Sequence, residues 1–228
     1  MLTVATATLP RCLSVVPILS LTFPVGVALD DNGNIHVANQ SLIQILRGSS
    51  LHGHTAPTNS ISGTNTALNA GEAITFDQDD NLYVANVAPP VSRTTANTLE
   101  IFAAGSTGKA TPTTIIDNGV NALTTPVGLA LAADGSLYVA NANGRFNGNR
   151  SFASFPAGAF SNPDVKLMPR AIIAGQNTKL ASPNSVAVDI NGNIYVTSGL
   201  PAINRVTIYS GREVPATCPR WRGSKAKH

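Results

Sequence analysis

Four copies of one segment occur in the sequence, and this repeat constrains the fold most, because a repeated unit buries its apolar face against its own neighbours. The copies align without gaps and begin at Pro24, Gly71, Pro126 and Pro183. They read PVGVALDDNGNIHVAN, GEAITFDQDDNLYVAN, PVGLALAADGSLYVAN and PNSVAVDINGNIYVTS. Their starts lie 47, 55 and 57 residues apart. The chain is therefore expected to fold as an array of similar units.

Each copy predicts a β-hairpin. Two stretches rich in Val, Ile, Leu and Tyr flank a polar turn of Asp, Asn and Gly, which are the residues that tolerate positive φ. A third strand ending near a glycine is predicted after each hairpin, at 43–48, 99–105, 152–158 and 206–211. A solenoid of helices is excluded by the period-two patterning and the density of turns.

A fourth strand is predicted from a proline that lies fourteen residues before the next copy. Pro57, Pro112 and Pro169 occupy this place, and the stretches that follow read TNSIS, TTIID and RAIIA. Pro10 lies at the same distance before Pro24, so the chain is expected to begin with a fourth strand that has no first three of its own. Four antiparallel strands in each repeat are typical of a β-propeller blade.

The units resemble NHL repeats, whose pattern is close to Pro-x-Gly-Ile-Ala-Val-Asp-x-x-Gly-Asn-Ile-Tyr-Val-Ala-Asp/Asn. The resemblance extends from Pro10 to Gly211, and the link FPAGAFSNPDVKLMPRAIIAGQNTKLASPNSVAVD is similar to bacterial, often extracellular, NHL-type proteins of unassigned activity. It implies an all-β propeller of four four-stranded blades over residues 1–211, followed by a basic tail at 212–228. It also implies a secreted or periplasmic protein, although the sequence shows no clear signal peptide.

Closure of the propeller is open to two interpretations. In the favoured one, the N-terminal strand at 11–15 completes the last blade beside 206–209, which gives a compact monomer. In the other, four blades form an open arc of a larger propeller, which oligomerises through its exposed edges. Cys12 and Cys218 would share one blade after closure, as a disulfide or as two free thiols.

Charge is sparse and unevenly placed. The chain carries a formal net charge of +3 with only 12% charged residues. The last 17 residues contribute +4, so the propeller itself is weakly acidic, and no nucleic-acid role is expected. No apolar stretch approaches the length needed to cross a membrane, so no membrane-spanning segment is expected.

No catalytic motif or metal site is evident, and no cofactor is predicted. The Asp-rich turns lack the distal Glu of an EF-hand calcium loop and are explained as hairpin turns. His36 stands where the other copies have Tyr, and His52 with His54 gives too few ligands for structural zinc. Lactonase-like propellers hold a metal in the central channel, yet only Glu72 begins a first strand here with a carboxylate.

One rim collects polar residues. The loops between second and third strands open on the same side as the links into the first strands, and repeat proteins tend to bind partners on such a face. The predicted ligand-binding residues there are Asn39, Asn86, Arg93, Asn141, Arg145, Arg150 and Arg205. The alternative is that the asparagines end strands and the arginines aid solubility.

A non-enzymatic binding or scaffold module for a protein or a small polar, carbohydrate-like ligand is the leading hypothesis. The alternative is a lactonase-like hydrolase or lyase with a divalent metal in the channel.

Overall fold

A computed structural model describes residues 21–48, 56–87, 97–117, 123–142, 150–160, 168–200 and 203–210. The first strands of the four units are β1 (Pro24–Leu29), β5 (Gly71–Phe76), β9 (Pro126–Leu131) and β13 (Pro183–Val188). The second strands are β2 (Ile35–Asn39), β6 (Leu82–Asn86), β10 (Leu137–Asn141) and β14 (Ile194–Leu200). The third strands are β3 (Leu42–Leu46), β7 (Thr98–Phe102), β11 (Ser151–Phe155) and β15 (Ile203–Tyr209). The fourth strands are β4 (Asn59–Ser62), β8 (Thr114–Asp117) and β12 (Ala171–Ala174).

Each unit forms one antiparallel sheet whose strands are paired in chain order, and these sheets are blades 1 to 4. Blades 1, 2 and 3 have four strands, and blade 4 has three among the described residues. The fold is therefore an all-β propeller of four blades, as predicted from the repeat. The expected N-terminal strand at 11–15, Cys12, Cys218 and the basic tail lie outside the described residues.

Two single-turn helical segments, Thr64–Thr66 and Gln176–Thr178, lie wholly within the described ranges. Across those ranges, we find no helix with the length and apolar character needed to cross a membrane.

Neighbouring blades pack through alternating side chains. Residues that lie opposite each other in adjacent strands point to the same face of a sheet, so each blade has an upstream face toward the preceding blade and a downstream face toward the next. The first strands contact each other in the order β1, β5, β9, β13. Between blades 1 and 2, Ile43 and Ile45 pack with Ile74, Val84 and Phe102. Equivalent cores lie between blades 2 and 3 and between blades 3 and 4.

Gly128 marks a close approach of two backbones in the channel wall. A Cβ atom at this position would lie 2.8 Å from the Cα of Ser185 and 3.2 Å from the Cβ of Ala140. Only glycine fits there without movement of β13. Between blades 1 and 2 the contact is looser, because a Cβ atom at Gly26 would lie 3.3 Å from the Cα of Ala73.

Candidate functional site at the loop face

The loop face is the end of the propeller that carries the second-to-third-strand loops and the links into the first strands. The opposite end carries the Asp-rich hairpin turns and is called the turn face. Those side chains predicted for ligand binding that the structure describes all belong to the loop face, so their exposure and partners decide what this face can bind.

The three strand-end asparagines are buried, with relative exposures of 2% for Asn39, 1% for Asn86 and 0% for Asn141. Each Oδ1 atom accepts a hydrogen bond from the backbone of the link that enters the same blade. Asn39 Oδ1 accepts from Phe23 N at 2.8 Å, and Asn141 Oδ1 accepts from Thr124 N at 3.0 Å. These amides therefore hold the link into each first strand against the end of the second strand. This is the structural role that the sequence offered as the alternative to ligand binding.

Blade 4 has a weaker version of this fastening. Ser198 occupies the asparagine position, and its Oγ accepts one hydrogen bond from Ala181 N at 3.4 Å. In blade 2, by contrast, Asn86 Oδ1 accepts from the backbone N–H groups of both Asn69, at 2.8 Å, and Ala70, at 3.0 Å. The drift from Asn to Ser in the fourth repeat therefore removes one backbone bond.

Two of the four predicted arginines lie within the described residues. Arg150 immediately precedes β11 and is half-buried, and within the described ranges its buried Nε atom has no hydrogen-bond partner. Arg205 lies on β15 opposite Ser198 and is exposed. Blades 3 and 4 thus each present a guanidinium group at the loop face, while Arg93 and Arg145 lie outside the described residues. Asn184 and Asn204 are also exposed there.

Glu100 is a buried carboxyl group that the sequence reading missed. It lies in the middle of β7, opposite Val84, and has no solvent exposure. Its Oε1 atom accepts hydrogen bonds from Asn86 Nδ2 at 2.9 Å and Thr98 Oγ1 at 3.1 Å, whereas its buried Oε2 atom has no partner in the part of the chain that the structure describes. Burial raises the pKa of the Glu100 carboxyl to about 7, although these hydrogen bonds act in the opposite direction.

A signal for Glu100 was present in the repeat alignment. The strand registers place Gln44, Glu100, Ala153 and Thr207 at the same position of the four blades. Three of these four side chains are polar, although they stand in otherwise apolar third strands. Aligning only the hairpins conceals this position, because the third strands lie outside the aligned segment.

Glu72 is the other glutamate within the described residues. It lies one residue into β5 and is half-buried, and burial raises its pKa above the usual range. Within the described ranges, no three or more His, Cys, Asp or Glu side chains come together in a group able to hold a metal ion. The described loop face is therefore cationic at Arg150 and Arg205 and acidic only at isolated positions.

At the turn face, the aspartate carboxylates that recur in the repeat form hydrogen bonds within their own blades. Asp77 and Asp189 accept hydrogen bonds from the hydroxyl groups of Tyr83 and Tyr195, each at 3.1 Å. In blade 1, His36 takes the tyrosine position and its Nε2 lies 3.2 Å from Asp30 Oδ2. Burial opposes ionisation of Asp30, but hydrogen bonds from Asn34 and His36 outweigh it and lower its pKa. His36 is thus a packing variant of the tyrosine.

A family model described as a β-propeller repeat matches residues 171–198, which run from β12 into β14. No curated protein matches the chain. This match agrees with the β-propeller fold and supports a repeat of the β-propeller kind, whereas the more specific NHL assignment stays a prediction.

Solved structures with similar folds include a gluconolactonase of Xanthomonas campestris, with a TM-score of 0.55 and 15% identity over 83% of this chain and 59% of that chain. A putative 6-phosphogluconolactonase from Bacteroides uniformis gives a TM-score of 0.54 and 14% identity over 80% of this chain and 49% of that chain. A chain of a mitotic checkpoint complex gives 0.52 and 13% over 82% of this chain and 48% of that chain. This chain therefore spans about half to three fifths of their lengths. At these identities the likeness shows the fold alone.

Proposed function

We propose that this propeller is a non-enzymatic binding module whose loop face holds a carboxylate-bearing partner. The observation that carries the proposal is Arg150, whose buried Nε donor has no acceptor among the described residues. Leaving a buried donor unpaired costs about 1–3 kcal/mol, and a bound carboxylate would recover that cost. Arg205 in the next blade is exposed and adds a second cation to the same face.

The two faces differ in a way that supports this choice. On the turn face, Asp30, Asp77 and Asp189 are hydrogen-bonded to the turn that each one begins. On the loop face, Asn184, Asn204 and Arg205 are exposed. Polar groups that are not needed to hold the blades are the ones available for recognition. An exported protein, as the repeat resemblance implies, would meet acidic saccharides or acidic protein segments outside the cell, and export is part of the proposal.

Changing Arg205 to Glu is expected to weaken binding of a carboxylate-rich probe about tenfold, because a repulsive charge replaces an attractive one in the binding face. Two probes are measured by biolayer interferometry, polygalacturonate for a saccharide and poly-glutamate for an acidic peptide. Arg47→Glu is the matched control, because Arg47 is equally exposed and lies at the turn-face end of β3. Binding of neither probe, or equal losses in both variants, would contradict the proposal.

A lactonase-like hydrolase is the second candidate, and the half-buried Glu72 with its raised pKa is the feature that favours it. We expect no hydrolysis of glucono-1,5-lactone above the buffer rate with Ca²⁺, Mn²⁺ or Zn²⁺ added, as followed by a pH indicator. Turnover that depends on the metal and is lost in Glu72→Gln would replace the binding proposal with the hydrolase.

A further inference from the structure

The three inter-blade interfaces are built from the same positions of the repeat. On the downstream face of blade 1, Ile43 and Ile45 of the third strand are 0% and 7% exposed. In blade 2 the equivalent residues, Leu99 and Ile101, are 0% and 5% exposed. These side chains are covered by the first and second strands of the following blade. Any blade followed by another is thus expected to bury this pair.

Blade 4 leaves the same pair uncovered. Val206 and Ile208 lie opposite Thr197 and Tyr195, as Ile43 and Ile45 lie opposite Ala38 and His36. Their relative exposures are 58% and 61%. Thr197 is exposed as well, where the other three blades have a fully buried alanine. Among the described residues, the downstream face of blade 4 is therefore an inter-blade surface without a neighbouring blade.

The hairpin turn of blade 4 likewise has a residue left uncovered at a position that contacts the following blade in blades 1 and 2. Asp31 and Gln78, the second turn residues of blades 1 and 2, hydrogen-bond to the turn of the following blade at 3.1 Å and 3.0 Å. Ile190 holds this position in blade 4 and is 93% exposed. A fully exposed isoleucine at a position that elsewhere contacts the next blade extends the uncovered surface to the turn face.

The complementary surface lies on β1 of blade 1. Val27 is 67% exposed, whereas its equivalents Ile74, Leu129 and Val186 are 5–9% exposed because a preceding blade covers them. Leu29 on the same face is 63% exposed. Farther out on this face, Val37 and Leu46 are buried, so the uncovered part is a strip along β1. Among the described residues, β13 and β1 do not contact each other as the other consecutive first strands do.

We propose that the downstream face of blade 4 packs on the β1 strip of a second copy of this chain. The two surfaces hold positions that face each other in the three inter-blade interfaces, with the blade 1 side limited to β1, so a second copy supplies a matching surface for each. Such head-to-tail contacts close into a ring when the rotation permits and otherwise extend as a chain. The loop face takes no part in this contact, so the proposal is independent of the binding function.

Sedimentation velocity of the full chain tests the association. Wild type is expected to self-associate as its concentration rises from about 1 to about 100 µM, a range that brackets the roughly micromolar dissociation constant of a modest interface. Val27→Glu and Ile208→Lys should each weaken association at least tenfold, because each buries a charge in an apolar contact. Both side chains are exposed in the single chain, so circular dichroism should show an unchanged fold. Ile115→Lys is the matched control, since Ile115 is 51% exposed on β8, away from both faces, and should associate like wild type.

Mixing the two variants gives the decisive result. Val27→Glu keeps an intact blade 4 face and Ile208→Lys keeps an intact β1 strip, so the mixture is expected to form a heterodimer that stops at two copies. A monomeric wild type would overturn the proposal, as would variants that associate like wild type or a mixture that stays monomeric. Cysteines placed at 27 and 208 that crosslink within one chain would show instead that blade 4 closes on its own blade 1.

Discussion

Replacement of Glu100 by Gln is expected to make the protein more stable at pH 8 by about 3 kcal/mol. Burial raises the pKa of Glu100 to about 7 from its ordinary value of 4.5, so the folded state binds its proton more tightly than the unfolded state does. Wild-type stability is therefore greatest below pH 4.5 and falls as the pH rises to 7. Glutamine cannot ionise, so the variant does not undergo this loss.

Urea denaturation of both proteins at pH 5 and pH 8 measures the effect. At pH 5 the two are expected to agree within about 1 kcal/mol, because Glu100 is then protonated in the folded state and is neutral like glutamine, and its Oε2 atom already lacks a partner among the described residues. Glutamine already occupies the equivalent place in blade 1, as Gln44. Glu72→Gln, at a half-buried site, serves as control and should change the pH dependence much less. A wild-type stability that does not fall between pH 5 and pH 8 would show that Glu100 is not held protonated.

Asn86→Ala is expected to destabilise the fold by about 4 kcal/mol. The substitution leaves the backbone N–H groups of Asn69 and Ala70 without their acceptor at a part-buried site, where each unpaired donor costs up to about 1–3 kcal/mol. It also removes the amide that donates to Glu100 Oε1 at 2.9 Å. Thermal and urea unfolding measure the loss.

Asn86→Ser is the matched control for this position. Blade 4 uses Ser198 there, with a single hydrogen bond from Ala181 N, so serine is expected to recover part of the stability lost in the alanine variant. Equal stability of the alanine and serine variants would mean that the hydrogen bond is not what this side chain contributes. Unchanged stability of both would contradict the structural role of the strand-end asparagines.

The repeat was sufficient to predict the blades because each strand carries its own signal. Turn residues punctuate the hairpins, and the spaced prolines locate β4, β8 and β12. The asparagines were harder to interpret. A polar residue at a strand end is equally compatible with binding a ligand and with hydrogen-bonding the backbone. Which role it has depends on the path of the link into the first strand. That path is set by packing between blades.

Glu100 and the uncovered faces needed coordinates for a different reason. Whether a carboxyl is buried depends on the blade that covers it, and Val27 has the same apolar character as Ile74 in the sequence. Only the arrangement of blades distinguishes a 67% exposed valine from a 7% exposed isoleucine. Repeat identity predicts the interface, but it does not tell which copy has a neighbour.

The strand-end asparagines also bear on the order of folding. Each one reaches back only 16 or 17 residues, from the end of a second strand to the link before the first. Contacts this close in sequence form quickly, because little chain entropy is lost when so short a loop is closed. A newly made hairpin can therefore be fastened before its outer strands arrive. Assembly would then proceed as docking of preformed hairpins, in which the slow events are the contacts between blades.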